Sequence, residues 1–233
     1  LTYPRLQVNA KFKEEVVSSR VGTTKRLRTA IVNAKNPPRV WVIVTGVGYY
    51  KPSLTAEYDE DSSGGDSDFF ASWSGIEEAA RLPEDKAQFV RQTIIRSGVV
   101  LGKEGGALRQ MIWPFWLGVG GAIGSGRQPF PWIHVDDASG ILAHALEADG
   151  VSGVLNGVAP SPNTNRQFAE ALAASLGRPA LLPLPGFAVE AVLGAERAGI
   201  LLEGQRVVPR RTLASGYKYR YPDLPAALEN IVS

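Results

Sequence analysis

The chain has 233 residues, 44% of them hydrophobic, which suits one α/β domain with a substantial core, or one domain with a small appendage. A formal net charge of +2 makes no case for nucleic acid or an anionic membrane surface as a partner. The absence of cysteine excludes disulfides, thiolate nucleophiles and zinc-thiolate sites, two histidines are too few for a histidine-rich metal site, and no stretch approaches the roughly 20 apolar residues of a membrane span.

Residues 1–10 show no clear element, and a chain that starts at Leu1 with Met111 as its single methionine leaves a processed chain and a fragment both open. From Lys11 onward, Phe12, Val16, Val17, Val21, Thr24, Leu27 and Ile31 recur at helix-like intervals among charged residues. One amphipathic helix over 11–34 is predicted, ended by Asn36-Pro37-Pro38. Large or β-branched residues then run without alternation from Val40 to Thr45, predicting a strand over 39–45 covered on both faces, as in a parallel sheet flanked by helices. The run stops at Thr45, Gly46, Gly48, Tyr49 and Tyr50. These residues fall where open α/β sheets bind ligands, and an ordinary glycine turn after a buried strand is the equal alternative.

Glu57, Asp59, Glu60, Asp61, Asp66 and Asp68 crowd residues 51–68 but lack the alternating ligands of a calcium loop, so a solvated surface loop is expected. A helix at 69–82 follows, weakened by Gly75, and then a buried strand from Phe89 to Arg96 that opens a second ligand-facing loop at Ser97-Gly98. Ala107 to Leu117 predicts a helix broken or shortened at Trp113 by Pro114. The glycine-rich stretch 118–128 lacks the lysine and hydroxyl of a Walker loop and the strand that would lead into it. It reads either as a loop carrying Arg127 toward a ligand or as a structural one.

Phe130 to Asp137 is an extended segment entering a helix over 137–148, with Asp136 or Asp137 as the expected cap. On its own, His134 reads more readily as a hydrogen-bonded structural histidine than as a catalytic base. A strand is expected from Gly153 to Val158, and Thr164-x-x-Gln167 is a capping box opening a helix that Gly177 and Pro179 close. Short apolar helices at 186–194 and 196–204 precede Tyr217-Lys218-Tyr219-Arg220-Tyr221, an extended segment before a last helix at 223–231. Tyrosines alternating with basic residues could stack on bases, but no broader positive field supports that.

Four motifs occur together and in order: Val44-Thr45-Gly46-Val47-Gly48-Tyr49-Tyr50, Arg96-Ser97-Gly98-Val99-Val100-Leu101-Gly102, Gly124-Ser125-Gly126-Arg127-Gln128 and Trp132-Ile133-His134-Val135-Asp136-Asp137. They resemble the atypical extended short-chain dehydrogenase/reductases called the YfcH-type epimerase family, which are NAD-dependent epimerase/dehydratase-like proteins. The likeness continues through Asn156-Gly157-Val158-Ala159-Pro160 and into Leu202-Glu203-Gly204-Gln205-Arg206-Val207, which is similar to the family's small C-terminal domain.

The resemblance implies an α/β fold with a Rossmann-like doubly wound parallel sheet, truncated at the N-terminus, and a small C-terminal α+β substrate or lid region. Residues 1–158 would be the remaining part of the NADP-binding domain and 159–233 the C-terminal domain. It further implies NADP(H) as cofactor and a small carbonyl or hydroxyl substrate. No nucleic-acid or membrane partner is expected, homo-oligomerisation is left open, and the compartment is unknown, a soluble intracellular protein being the first expectation. Family members begin with a strand, a glycine-rich phosphate turn and further βα units, on the order of 60 residues that this sequence does not contain. Without that turn, dinucleotide binding is expected to be crippled.

Residue by residue, the resemblance nominates Glu15 and Arg20 in the Lys13 to Arg20 segment as NADP contacts, although a solvated helix face is the reading without it. Thr45 and Gly46 would sit beside the nicotinamide, with Val100 shaping its apolar wall. Short-chain dehydrogenases generally use a Tyr-x-x-x-Lys pair for proton transfer. No tyrosine here has a lysine four residues later, and the pair's place falls near Ser72 and Ile76. That leaves Thr45 as the substrate-orienting hydroxyl, Tyr50 as the nearest phenol for proton transfer, and Arg127 and His134 as substrate contacts. The expectation is therefore an NADP(H)-dependent oxidoreductase or epimerase-like enzyme, or else an NADP(H)-responsive binding protein that lost the proton-transfer pair.

Overall fold

The computed structural model describes residues 10–65, 69–83, 86, 88–180, 182–193, 198 and 201–233. Its centre is a parallel sheet in the order β1 (Val40–Gly46), β3 (Arg91–Ser97) and β6 (Gly153–Gly157). Parallel neighbours require crossovers. Helix α3 (Phe69–Ala79) lies between β1 and β3 in the chain, and α5 (Val135–Glu147) between β3 and β6. The two helices cover opposite faces. Ile141 and Ala145 of α5 pack with Ile95, Leu155 and Val42, while the alternate residues Thr45 and Arg96 bond to Glu78 of α3. This is the doubly wound arrangement expected from the unbroken apolar strands.

Two short parallel pairs flank the sheet: β4 (Val99–Leu101) with β5 (Trp132–His134), and β2 (Glu57–Tyr58) with β7 (Arg206–Val207). A second core joins α4 (Gly106–Trp116), α6 (Asn165–Ser175) and α9 (Leu224–Val232) through Leu108, Phe115, Phe168, Leu172 and Leu228. The capping box of α6 is complete, and Gly177 closes the helix at φ +63°. Helices α7 (Gly186–Leu193) and α8 (Arg210–Ala214) complete the named elements.

The structure corrects several expectations. The long N-terminal helix is α1 (Ala10–Val16), a π-helical turn (Val17–Val21) and α2 (Gly22–Asn33). Its buried residues are Phe12, Val16, Val21 and Thr24, and the five-residue step from Val16 to Val21 spans the π turn. Val17 and Leu27 consequently face solvent. Strand β1 is less covered than expected on one face: α3 and α5 both pack on it, but Val44 is 39% exposed. Phe89 precedes β3 and is 67% exposed, so the strand begins two residues later than expected.

Helix α4 continues through Pro114, because the ring removes one bond and the following amides of Leu117, Gly118 and Val119 still bond back into the last turn. The cap of α5 is His134, whose ring accepts the Asp136 N–H, and neither aspartate takes that role. The acidic loop is not simply solvated, since Glu60 is buried and Glu57, Asp59 and Asp61 pair with Arg206, Arg210 and Arg211. The tyrosine-rich segment does not present its rings for base stacking: Tyr217 and Tyr219 pack against the α5 core. Asp66, Asp68, the side chain of Ser72 and positions 196, 197, 199 and 200 of the expected 196–204 helix lie outside the described residues.

Candidate functional site

The sheet register builds the site. Thr45 of β1 pairs with Arg96 of β3, which pairs with Asn156 of β6, so three polar side chains form one row at the carboxyl end of the sheet. All three are buried, and burial obliges each to find partners. Glu78 meets the row from α3. It accepts the Thr45 hydroxyl at 2.9 Å and two bonds from Arg96 at 3.0 and 2.7 Å.

Tyr50 closes the row from the turn after β1. Its hydroxyl accepts from Arg96 Nη1 at 2.9 Å and lies 2.8 Å from Asn156 Oδ1 and 2.9 Å from the Asp59 carbonyl, which share its one proton. The Arg96 guanidinium stacks over the Tyr49 ring at 3.5 Å from its centroid, and the Tyr50 ring stacks on Tyr58. Beyond Asn156 the network continues to Glu60, which accepts the Asn156 amide and the Thr212 N–H. The C-terminal part of the chain is thereby hydrogen-bonded to the end of the sheet.

Electrostatics follow from this geometry. Burial pushes the Tyr50 phenol above its ordinary range, with Arg96 and Asn156 pulling it back, so at neutral pH it is a proton donor. Burial works against the charge on Arg96, but Glu78 and Tyr50 outweigh it and raise its pKa. Glu77 is raised by burial, opposed by the charge of Arg20 and by a hydrogen bond from Thr24.

Of the sequence-predicted residues, Thr45, Gly46 and Tyr50 therefore gather at one place, and Arg20, in the π turn, acts on Glu77, next in the chain to Glu78. Glu15 is exposed on α1. Val100 is partly exposed on β4. Arg127 is exposed on a loop held to the start of α6 by Asn165 and Arg166. His134 is buried as the α5 cap, its ring 4.0 Å from that of Tyr221. Sequence reasoning missed Glu78, Asn156, Glu60 and Thr212. One signal was available: an arginine directly after the apolar pair Ile94-Ile95, near the end of a buried strand, needs a carboxylate partner.

Residues 184–231 match a family described as a domain of unknown function, DUF1731. The epimerase family protein SDR39U1 of Bos taurus is 60% identical over 232 residues, spanning 99% of this chain and 78% of that protein. The crystal structure of human epimerase family protein SDR39U1 (isoform 2) with NADPH is 59% identical, with a TM-score of 0.93 over 97% of this chain and 76% of that one. A nucleoside-diphosphate sugar epimerase structure from Corynebacterium glutamicum is 28% identical, with a TM-score of 0.78 over 100% of this chain and 45% of that one. This chain belongs to the epimerase family of short-chain dehydrogenase/reductase proteins, and its parallel sheet is of the Rossmann type.

Proposed function

We propose that the protein binds NADP(H) and exchanges hydride between the nicotinamide and a small carbonyl or hydroxyl substrate. The observation that carries this reading is the close likeness to a relative crystallised with NADPH. The residues present fit the nicotinamide end. Gly46 closes β1 with no atom nearer than 3.8 Å to the place a Cβ would take, and Val100 offers an exposed apolar face three residues beyond the end of β3. Residues 1–158 would carry the cofactor half and 159–233 the substrate or lid region, which contains the DUF1731 match. When bound, the cofactor supplies the hydride.

Thr45 is the orienting candidate, its proton going to Glu78 so that its oxygen is left to accept from a substrate hydroxyl, and Tyr50 is the candidate proton donor. Arg127 and His134 are the substrate-contact candidates and Glu15 and Arg20 the outer cofactor contacts. Titration with NADPH and then NADH, read by tryptophan emission, tests the reading. Saturable binding that prefers NADPH would support it. A folded chain that responds to neither overturns it.

A second reading has its own support. The Tyr50 hydroxyl is sealed and fully engaged, and Ile76 stands at the lysine's place, which favours an NADP(H)-responsive binding protein without turnover. NADPH consumption with a carbonyl substrate separates the two.

A further inference from the structure

A cavity of about 310 Å³ lies away from the polar row, between α4, the loop at 119–123, the start of α6 and the short stretch 182–184. Its walls are Met111, Phe115, Ile123, Phe168, Leu182 and Leu184. Among the described residues, no ionisable side chain lines it. The one side-chain amide, that of Asn165, already has its oxygen engaged by the Ile123 N–H at 2.7 Å. Nothing in that lining is placed to hold a phosphate or a ring of sugar hydroxyls.

The cavity is built rather than loose. Residue 184 is laced to the opposite wall, its N–H donating to the Ala122 carbonyl and its own carbonyl accepting from Gly124, both at 2.8 Å. A Cβ on Gly121 would collide with the Leu182 carbonyl, so glycine is what allows the two wall segments to close at this spacing. Leu182 and Leu184 line the interior and are also about half exposed, which gives the cavity an apolar mouth. At roughly 30 Å³ for each water-sized group, the volume accommodates about ten carbon atoms. An apolar hollow of this size is larger than the voids that packed interiors leave and falls in the range of small-molecule pockets.

We infer that this cavity binds an aliphatic chain of about ten carbons. The binding does not rest on the proposed function.

Calorimetric titration of the chain with 1-decanol, and separately with UDP-glucose, tests the inference. Saturable decanol binding is expected with or without NADPH. It is expected to weaken at least tenfold in Met111→Trp, which fills the cavity, and in Leu184→Asp, which charges its mouth, with circular dichroism confirming the fold of each. No decanol binding, binding indifferent to both variants, or displacement of decanol by UDP-glucose overturns the inference. Decanol binding without any response to NADPH sustains the cavity and defeats the cofactor reading. NADPH binding without decanol binding does the reverse.

Discussion

Arg96 grips Glu78 through two hydrogen bonds, Nε to Oε1 at 3.0 Å and Nη2 to Oε2 at 2.7 Å, with both side chains almost sealed from solvent. A buried pair offsets its own desolvation only while both partners are present. Glu78→Ala strands the guanidinium and is expected to cost about 3–5 kcal/mol, read from the urea midpoint. Joint replacement by Glu78→Leu and Arg96→Met is expected to recover most of that loss. A double variant as unstable as the single one would place the effect elsewhere.

Tyr50 anchors the same row. Tyr50→Phe removes a hydroxyl that accepts from Arg96 and donates within the row, for an expected loss of about 1–3 kcal/mol. NADPH affinity should be unchanged, because the hydroxyl is buried and already engaged. If Tyr50 also transfers a proton, NADPH oxidation falls by a further factor of about 10²–10⁴ at unchanged affinity. Chemical unfolding and steady-state turnover, measured on the same variant, separate anchor from acid.

What the residue pattern disclosed and what it hid differ in range. Strands β1, β3 and β6 and the Thr164 to Gln167 box are local signals, readable from hydropathy runs and a four-residue spacing. Glu60 looked like one more carboxylate in an acidic loop because its partner Thr212 is 152 residues away. Its neighbours Glu57 and Asp59 likewise find Arg206 and Arg210 only through the fold. The row itself depends on strand register, which pairs Thr45 with Arg96 and Arg96 with Asn156 and which no window of sequence contains. Val44 misled for the same reason, since its hydropathy does not say how far a neighbouring helix covers it.

Three tyrosines make the fold sensitive to alkali. Tyr50, Tyr217 and Tyr219 are all pushed above their ordinary pKa, each chiefly by burial. In the unfolded chain a tyrosine releases its proton near about pH 10, so above that pH the folded state holds more protons. Stability is therefore complete below about pH 10 and falls as pH rises toward the folded-state values. Melting temperature followed from about pH 8 to about pH 11 is expected to drop steeply only at the upper end. Tyr219→Phe, which loses a 2.8 Å bond to the Val158 carbonyl, should begin about 1 kcal/mol less stable and show a shallower alkaline limb. An unchanged slope would remove Tyr219 from the account.

Asp136 and Asp137 are adjacent in the first turn of α5, yet the structure gives them unequal weight. Asp136 forms an exposed ion pair with Arg220. Asp137 is fully buried and accepts three bonds, from the Arg220 amide at 2.7 Å, the Tyr221 amide at 2.9 Å and the Tyr217 hydroxyl at 2.9 Å. It therefore pins residues 217–221 against the helix. Asp136→Ala should change stability by less than about 1 kcal/mol, because solvent screens the pair. Asp137→Ala leaves three donors without an acceptor and should cost about 3 kcal/mol or more. Asp137→Asn keeps one carbonyl oxygen and should fall between the two. Amide exchange at Arg220 and Tyr221 provides the local readout: both are expected to lose protection in Asp137→Ala and to keep it in Asp136→Ala. Equal behaviour of the two alanine variants would show that segment 217–221 is held by its ring packing rather than by this carboxylate.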